Sequence, residues 1–279
     1  MKKVILINDS RHFSEGSFEF LRQLNDKDPL LVTGIFLPQS TFASVLSYAA
    51  AANGMGTTGY FPAVEPDEEA DIETAVRGFQ EKCIHNGINF RIHEDARQVT
   101  LPTLRLESRF ADLIVISGEL FFQRVGMTEP PLEYIREVIK AAECPVLIVP
   151  EKFTFPEKII LAYDGSEESV YTIKQFAYLF PELTAKPVLL VYADENMENP
   201  IPHESYIEEL AARHFPDLNF MKLNIDPKKQ FEVWIRDRKD NILICGSLGR
   251  SALSHFFRKG FAAGVIRNKE LPVFVAHRS

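Results

Sequence analysis

Apolar residues in this chain come in short unbroken runs: Val4-Ile5-Leu6-Ile7, Leu113-Ile114-Val115-Ile116, Ile159-Ile160-Leu161, Leu189-Leu190-Val191 and Ile242-Leu243-Ile244-Cys245. A strand with one wet face alternates apolar and polar positions, so unbroken Val/Ile/Leu runs predict strands buried on both faces. Between the runs lie amphipathic stretches of helical period, such as 68–85 and 166–180. Alternating strand and helix signals predict βαβ units around a parallel sheet with helices on both faces.

The order of these elements occurs twice. Val4-Ile5-Leu6-Ile7-Asn8-Asp9-Ser10 matches Ile159-Ile160-Leu161-Ala162-Tyr163-Asp164-Gly165-Ser166, each a buried strand ending at an aspartate and a helix start. Ile88-Asn89-Phe90 answers Leu218-Asn219-Phe220. Ala111-Asp112-Leu113-Ile114 answers Asp240-Asn241-Ile242-Leu243, and Cys144-Pro145-Val146-Leu147 answers Leu271-Pro272-Val273-Phe274. Four matches in one order predict two doubly wound α/β domains in tandem, 1–150 and 151–279, joined near 150–156.

The halves differ most at an insertion, 38–67. It contains Gly54-Met55-Gly56-Thr57-Thr58-Gly59, the letters of a dinucleotide fingerprint. The context is wrong for it, because Ala-rich sequence precedes where a strand is needed and Tyr60-Phe61-Pro62 follows where a helix should begin. A lid or a partner-binding arm is the expectation for this segment.

The densest chemical signal follows the Ile242-Leu243-Ile244-Cys245 strand. Gly246-Ser247-Leu248-Gly249-Arg250 places two glycines three apart, and residues 261–267 read as a helix. Strand, glycine loop and helix N-terminus suit an anion, since bare backbone N–H groups and the positive end of the helix dipole face one place. Arg250, Arg258 and Lys259 add positive charge, although basic residues near helix ends commonly form a solvated face.

The aspartate after the first strand, the G-x-x-G loop after the fourth and the basic residue behind it resemble the universal stress protein family. The likeness covers nearly the whole chain outside the insertion and is strongest from residue 158 onward. It implies two domains of the adenine-nucleotide alpha hydrolase-like type. The last strands of such domains commonly pair across a two-fold, so 145–150 and 272–276 are the expected partners in an internal pseudo-dimer, with a homodimer of whole chains a further expectation.

Nucleotide-binding members of the family carry G-2x-G-9x-G-S/T, whose glycines and final hydroxyl hold phosphates. By resemblance, Asp164 meets base or ribose, Tyr192 lies against adenine, and Gly246, Ser247, Gly249 and Arg250 border the phosphates. After nine intervening residues Lys259 stands where the pattern has glycine, and Gly260 where it has Ser or Thr. Taking Gly260 as the third glycine would turn the next helix by about 100° against its sheet. The gapless reading removes the hydroxyl and leaves Lys259 either to pair with phosphate or to fill its place. In the N-terminal half Ser117 and Leu120 replace the first two glycines, while Asp9 is retained and Phe36 stands where Tyr192 does. No nucleotide is expected there unless the insertion builds a different pocket.

Each residue also has a plain structural role. Asp164 and Asp9 could serve helix caps, and Gly246 and Gly249 could simply make a tight turn. Phe121-Phe122 and Phe256-Phe257 suit packing or an interface.

No Walker A loop, GxSxG elbow or HExxH occurs, nor the HxGH or SGGxDS patterns of nucleotide-transferring relatives. Histidines lack metal-ligand spacing, and Mg²⁺ is expected only through a nucleotide. The formal net charge is −8, with the excess acid in the N-terminal half, and no basic stripe interleaved with aromatics speaks for nucleic acid. Neither a signal-peptide order nor a membrane-length apolar run appears, so a cytoplasmic protein is expected. Cys83, Cys144 and Cys245 lack CxxC spacing and read as reduced, buried small residues.

Three functions stay open. The first is a stress-response binding module whose C-terminal domain holds ATP, ADP or AMP and switches conformation or an unknown protein partner. The second is a nucleotide-free scaffold with a protein or small-molecule surface. The third is a weak ATPase, for which no water-orienting group is evident.

Overall fold

The computed structural model of the chain describes residues 1–11, 13–38, 66–93, 101–120, 132–226, 230–246 and 271–276. It divides into two compact units, Met1–Cys144 and Pro145–Ser279.

In the first unit the order is β1 (Lys2–Asp9), α1 (Glu15–Asn25), β2 (Leu30–Leu37), α2 (Pro66–His85), β3 (Asn89–Ile92), α3 (Leu101–Arg109), β4 (Leu113–Ser117) and α4 (Leu132–Ala141). The strands lie in the order β3-β2-β1-β4, all parallel, with Lys2 opposite Leu30 and Val4 opposite Leu113. The unbroken apolar run of β1 is explained by this central place, where Ile5, Leu6 and Ile7 are fully buried. Burying such a side chain contributes about 1.5–3 kcal/mol. Beside β1, the rings of Phe36, Phe79 and Phe90 meet edge to face with centroids 5.7 Å apart. Gly34 admits them, since a Cβ there would stand 3.0 Å from both Phe36 and Phe79.

The second unit contains β5 (Val146–Val149), β6 (Lys158–Ala162), α5 (Glu167–Leu179), β7 (Val188–Asp194), α6 (Glu204–His214), β8 (Leu218–Asn224), α7 (Phe231–Ile235), β9 (Asn241–Gly246) and β10 (Val273–Ala276). Its strand order is β8-β7-β6-β9-β10-β5. All neighbours are parallel except β10 and β5, which run antiparallel with Val273 opposite Ile148. These are the two segments whose pairing the family resemblance implies.

Crossovers from β6 to β7 and from β7 to β8 step the same way across the sheet. Right-handed connections therefore place α5 and α6 on one face. The chain then returns to the other side of β6 to form β9, so β6 and β9 flank the point where the strand order reverses. In an open α/β sheet, the crevice at the carboxyl ends of those two strands is where ligands bind. Packing holds α5 in place beneath it: Phe176 meets Phe180 and Phe274 at 5.4 Å, and Thr172 Oγ1 donates to the Ala276 carbonyl at 2.8 Å.

Candidate functional site

The backbone after β6 turns sharply at Gly165, whose φ of +82° is in the left-handed region that favours glycine. A Cβ there would also stand 2.6 Å from the Pro202 Cβ, so glycine serves both the turn and the close approach. Ser166 follows as the N-cap of α5, its Oγ accepting from the Ser169 N–H at 3.1 Å. Asp164 does not cap the helix itself. Its Oδ1 accepts the Ser166 N–H at 3.0 Å and the Ser166 hydroxyl at 2.6 Å, so the acid positions the residue that caps. The other oxygen, Oδ2, has no partner among the described residues, and the side chain is only half-buried.

Two further ends meet this carboxylate. Tyr192, at the end of β7, is 9% exposed and donates its hydroxyl to Asp194 Oδ2 at 2.9 Å. Burial, the Asp194 hydrogen bond and the charges of Asp194 and Asp164 together push its phenol up to about 12. Asp194 in turn accepts the Asn196 N–H at 2.7 Å and the Asn199 side-chain amide, and those donors hold its carboxyl below the usual range. Lys222 on β8 donates to the Met197 and Asn199 carbonyls and so braces the same loop.

On the other side, burial and then the Asp164 charge push the Cys245 thiol up to about 12. The field of Asp164 thus reaches the ends of both β7 and β9. The structure brings together Asp164, Tyr192 and Gly246 among the residues singled out from sequence.

Gly246 ends β9 against the first turn of α5, where a Cβ would lie 2.8 Å from the Ser169 nitrogen and 2.9 Å from the Glu168 carbonyl carbon. Its packing role is therefore visible. Ser247, Gly249, Arg250, Arg258, Lys259 and Gly260 lie outside the described residues, as do the Phe121-Phe122 and Phe256-Phe257 pairs and insertion residues 39–65.

Sequence reading passed over three participants: Gly165, Asp194 and Pro202, whose carbonyl accepts the Tyr163 hydroxyl at 2.7 Å. The Asp-Gly-Ser triplet at 164–166 carried a signal for the first, because glycine between an acid and a serine cap marks a left-handed turn. Asp194 and Pro202 belong to a loop with no motif of its own.

The corresponding edge of the first unit is built differently. Asp9 is 1% exposed and accepts the Arg11 N–H at 3.0 Å, while Asn8 Oδ1 holds the N–H of Ser14, the N-cap of α1. Phe36 is turned into the core against Phe79. Ser117 accepts the Glu119 N–H in a local turn at 3.0 Å, and Leu120 is buried where a second loop glycine would leave room. Asn8 Nδ2 and Ser10 Oγ are buried there with no hydrogen-bond partner among the described residues.

Among the described residues no helix is long and apolar enough to cross a membrane, and no group of three His, Cys, Asp or Glu residues is placed to hold a metal. No family model and no curated protein matches the chain. Solved structures do. A universal stress protein from Archaeoglobus fulgidus DSM 4304 superposes with a TM-score of 0.67 at 15% identity, covering 100% of this chain and 97% of that one. A universal stress protein solved in complex with cAMP is 17% identical and covers 45% of this chain and 100% of its own, with a TM-score of 0.35. The chain has the universal stress protein fold.

Proposed function

We propose, for a chain with the universal stress protein fold, that the second unit binds an adenine nucleotide at the carboxyl ends of β6, β7 and β9 and serves as a stress-response switch. The observation that carries this reading is Asp164 Oδ2, an acceptor without a partner among the described residues, set at the strand-order reversal between the ends of β7 and β9. One carboxylate performs two tasks: Oδ1 is fixed by Ser166, and Oδ2 is left to accept a ribose hydroxyl or an adenine amine. The Tyr192 ring, its hydroxyl tied back to Asp194, offers a face beside it.

By the resemblance, Ser247, Gly249 and Arg250 of the G-x-x-G loop would meet the phosphates, with Lys259 supplying a cation in place of the missing third glycine. Mg²⁺ enters only with the nucleotide. ATP, ADP and AMP differ in the phosphates this loop meets, so their occupancy would shift the loop and whatever partner rests on it. In this reading the nucleotide is a signal, and turnover is at most slow.

Calorimetric titration of the full chain with ATP, ADP and AMP, with and without Mg²⁺, tests this. Asp164→Asn is the informative variant, because its carbonyl can still accept the Ser166 N–H while a donor replaces Oδ2. Micromolar binding that weakens about ten- to a hundredfold in Asp164→Asn, with unchanged thermal stability, supports the reading. Absence of both heat and thermal shift with every nucleotide refutes it and leaves a nucleotide-free scaffold.

A further inference from the structure

A second concavity in the C-terminal unit lies between the first halves of α5 and α6. It is a cleft of about 520 Å³ that none of Asp164, Tyr192 and Gly246 lines. Helical spacing makes it: Val170 and Lys174 stand one turn apart on α5, and His203 and Ile207 stand one turn apart at the start of α6. Val170 and the buried Ile207 form an apolar floor, and the rings of Tyr171 and Tyr206 rise from opposite helices. Tyr206 is 75% exposed, and neither ring has a ring or hydrogen-bond partner among the described residues. Among the described residues Lys174 lines the same cleft with no ion pair, and the one lining acid, Glu167, is exposed at the rim and already has a partner.

The cleft between α1 and α2 in the first unit is a control provided by the fold itself. It is nearly the same size, about 530 Å³, but its cations are paired. Lys82 meets Glu15 at 3.0 Å and lies over the rings of Phe13 and Phe18, and Arg22 meets Glu19 at 2.7 Å. Its lysine and its arginine are thus both engaged by acids, and His85 and Asn86 complete the lining. In the second unit an unpaired ammonium, two aromatic faces and an apolar floor share one concavity, which is the make-up of a small-molecule site.

The geometry points to a binding site for a small aromatic anion between α5 and α6, with the ring held between Tyr171 and Tyr206 over Val170 and Ile207 and its carboxylate or sulfonate on Lys174. A planar ring matches the two tyrosines, and the lysine fixes the sign of the charge. A cationic ring of the same shape would meet Lys174 as a like charge and be rejected.

Backbone amide NMR titration of the full chain with 1-naphthoate, beside 1-naphthylmethylammonium, tests the site. The carboxylate should move amides of 166–174 and 203–210 and saturate, and the ammonium should not. Lys174→Gln should weaken 1-naphthoate about ten- to a hundredfold, the loss expected for one charge-assisted hydrogen bond, while Lys174→Arg retains it. Lys174 is half-exposed, and unchanged far-ultraviolet circular dichroism would show both variants folded. Equal binding of the two probes, undiminished binding in Lys174→Gln, or shifts confined to other elements would overturn the proposal. Asp164→Asn should leave 1-naphthoate untouched and ATP should not displace it, so failure at the strand ends and failure here are separately readable.

Discussion

Gly246 can be tested by adding one methyl group. Its φ is not in the left-handed region, so Gly246→Ala is allowed by backbone conformation, and the cost must come from space. The new Cβ would stand 2.8 Å from the Ser169 nitrogen, 2.9 Å from the Glu168 carbonyl carbon and 3.2 Å from the Glu168 Cβ. Ordinary contacts start about half an ångström further out, and two of these neighbours are helix backbone that cannot rotate away. Ser169 is also the residue whose N–H the Ser166 cap accepts, so pushing it outward strains a 3.1 Å hydrogen bond.

Overpacking of this kind costs about 1–3 kcal/mol and a damaged cap about 1 kcal/mol. Loss of unfolded-state freedom on replacing glycine offsets about 0.4–1 kcal/mol. A net destabilisation of roughly 1.5–3 kcal/mol follows from these figures. The chain has one tryptophan, Trp234 in α7, so urea unfolding followed by its fluorescence reports on the second unit alone. The midpoint should fall with little change in slope. Ser166→Ala should be less than additive with Gly246→Ala, since both act on the same capped turn. A Gly246→Ala midpoint at or above the wild-type value would refute the wedge.

Thr33 Oγ1 on β2 is buried without a partner among the described residues, so Thr33→Val should stabilise the first unit by about 1 kcal/mol in thermal or urea unfolding; a loss of stability would show that the hydroxyl is satisfied. Burial pushes the thiols of Cys83, Cys144 and Cys245 up to about 12. Ellman's reagent at pH 8 should therefore find none in the native protein and three in guanidinium, and a native thiol reacting as fast as free cysteine would contradict the burial. Hydrogen bonds from Arg109 and then Arg105 hold the Glu143 carboxyl down to about 2. Its folded pKa lies below the unfolded one, so its contribution is complete above pH of about 4.5 and fades as pH falls toward 2. The stability difference between wild type and Glu143→Gln should vanish across that window; a difference unchanged from pH 5 to pH 2 would count against the pairing.

Strands and helix limits were legible because burial on both faces writes itself as unbroken apolar runs. The stretch 166–180 reads as a helix and proves to be one, with Ser166 and Phe180 as its caps. At the site the letters were less decisive. An aspartate two residues before a helix can cap it, hold the cap or meet a ligand, and only the two bonds on Asp164 Oδ1 distinguish the second role from the first. Gly246 posed the same difficulty, since a glycine cleared for a phosphate and one cleared for a helix turn are identical in sequence. The Pro202 contact with Gly165 depends on a loop folding back from the end of β7, and no local pattern encodes it.

One hydroxyl does much to set the two strand-end crevices apart. Phe36 and Tyr192 occupy matching places on the second strand of each unit, yet a phenylalanine ring can be buried wholly among Phe79 and Gly34, whereas a tyrosine hydroxyl must reach a polar partner. Asp194 supplies that partner near the carboxyl end of β7. The next differences act in the same sense. Gly165 allows a left-handed turn where the first unit has Ser10, and Gly246 stands where the first unit has Ser117, engaged in its own turn. The first unit buries Phe36 and Leu120, and the second leaves Asp164 Oδ2 without a partner among the described residues. Among the described residues, the unpartnered acceptor at a strand end is therefore beside β6, while Asp9 beside β1 is buried and engaged.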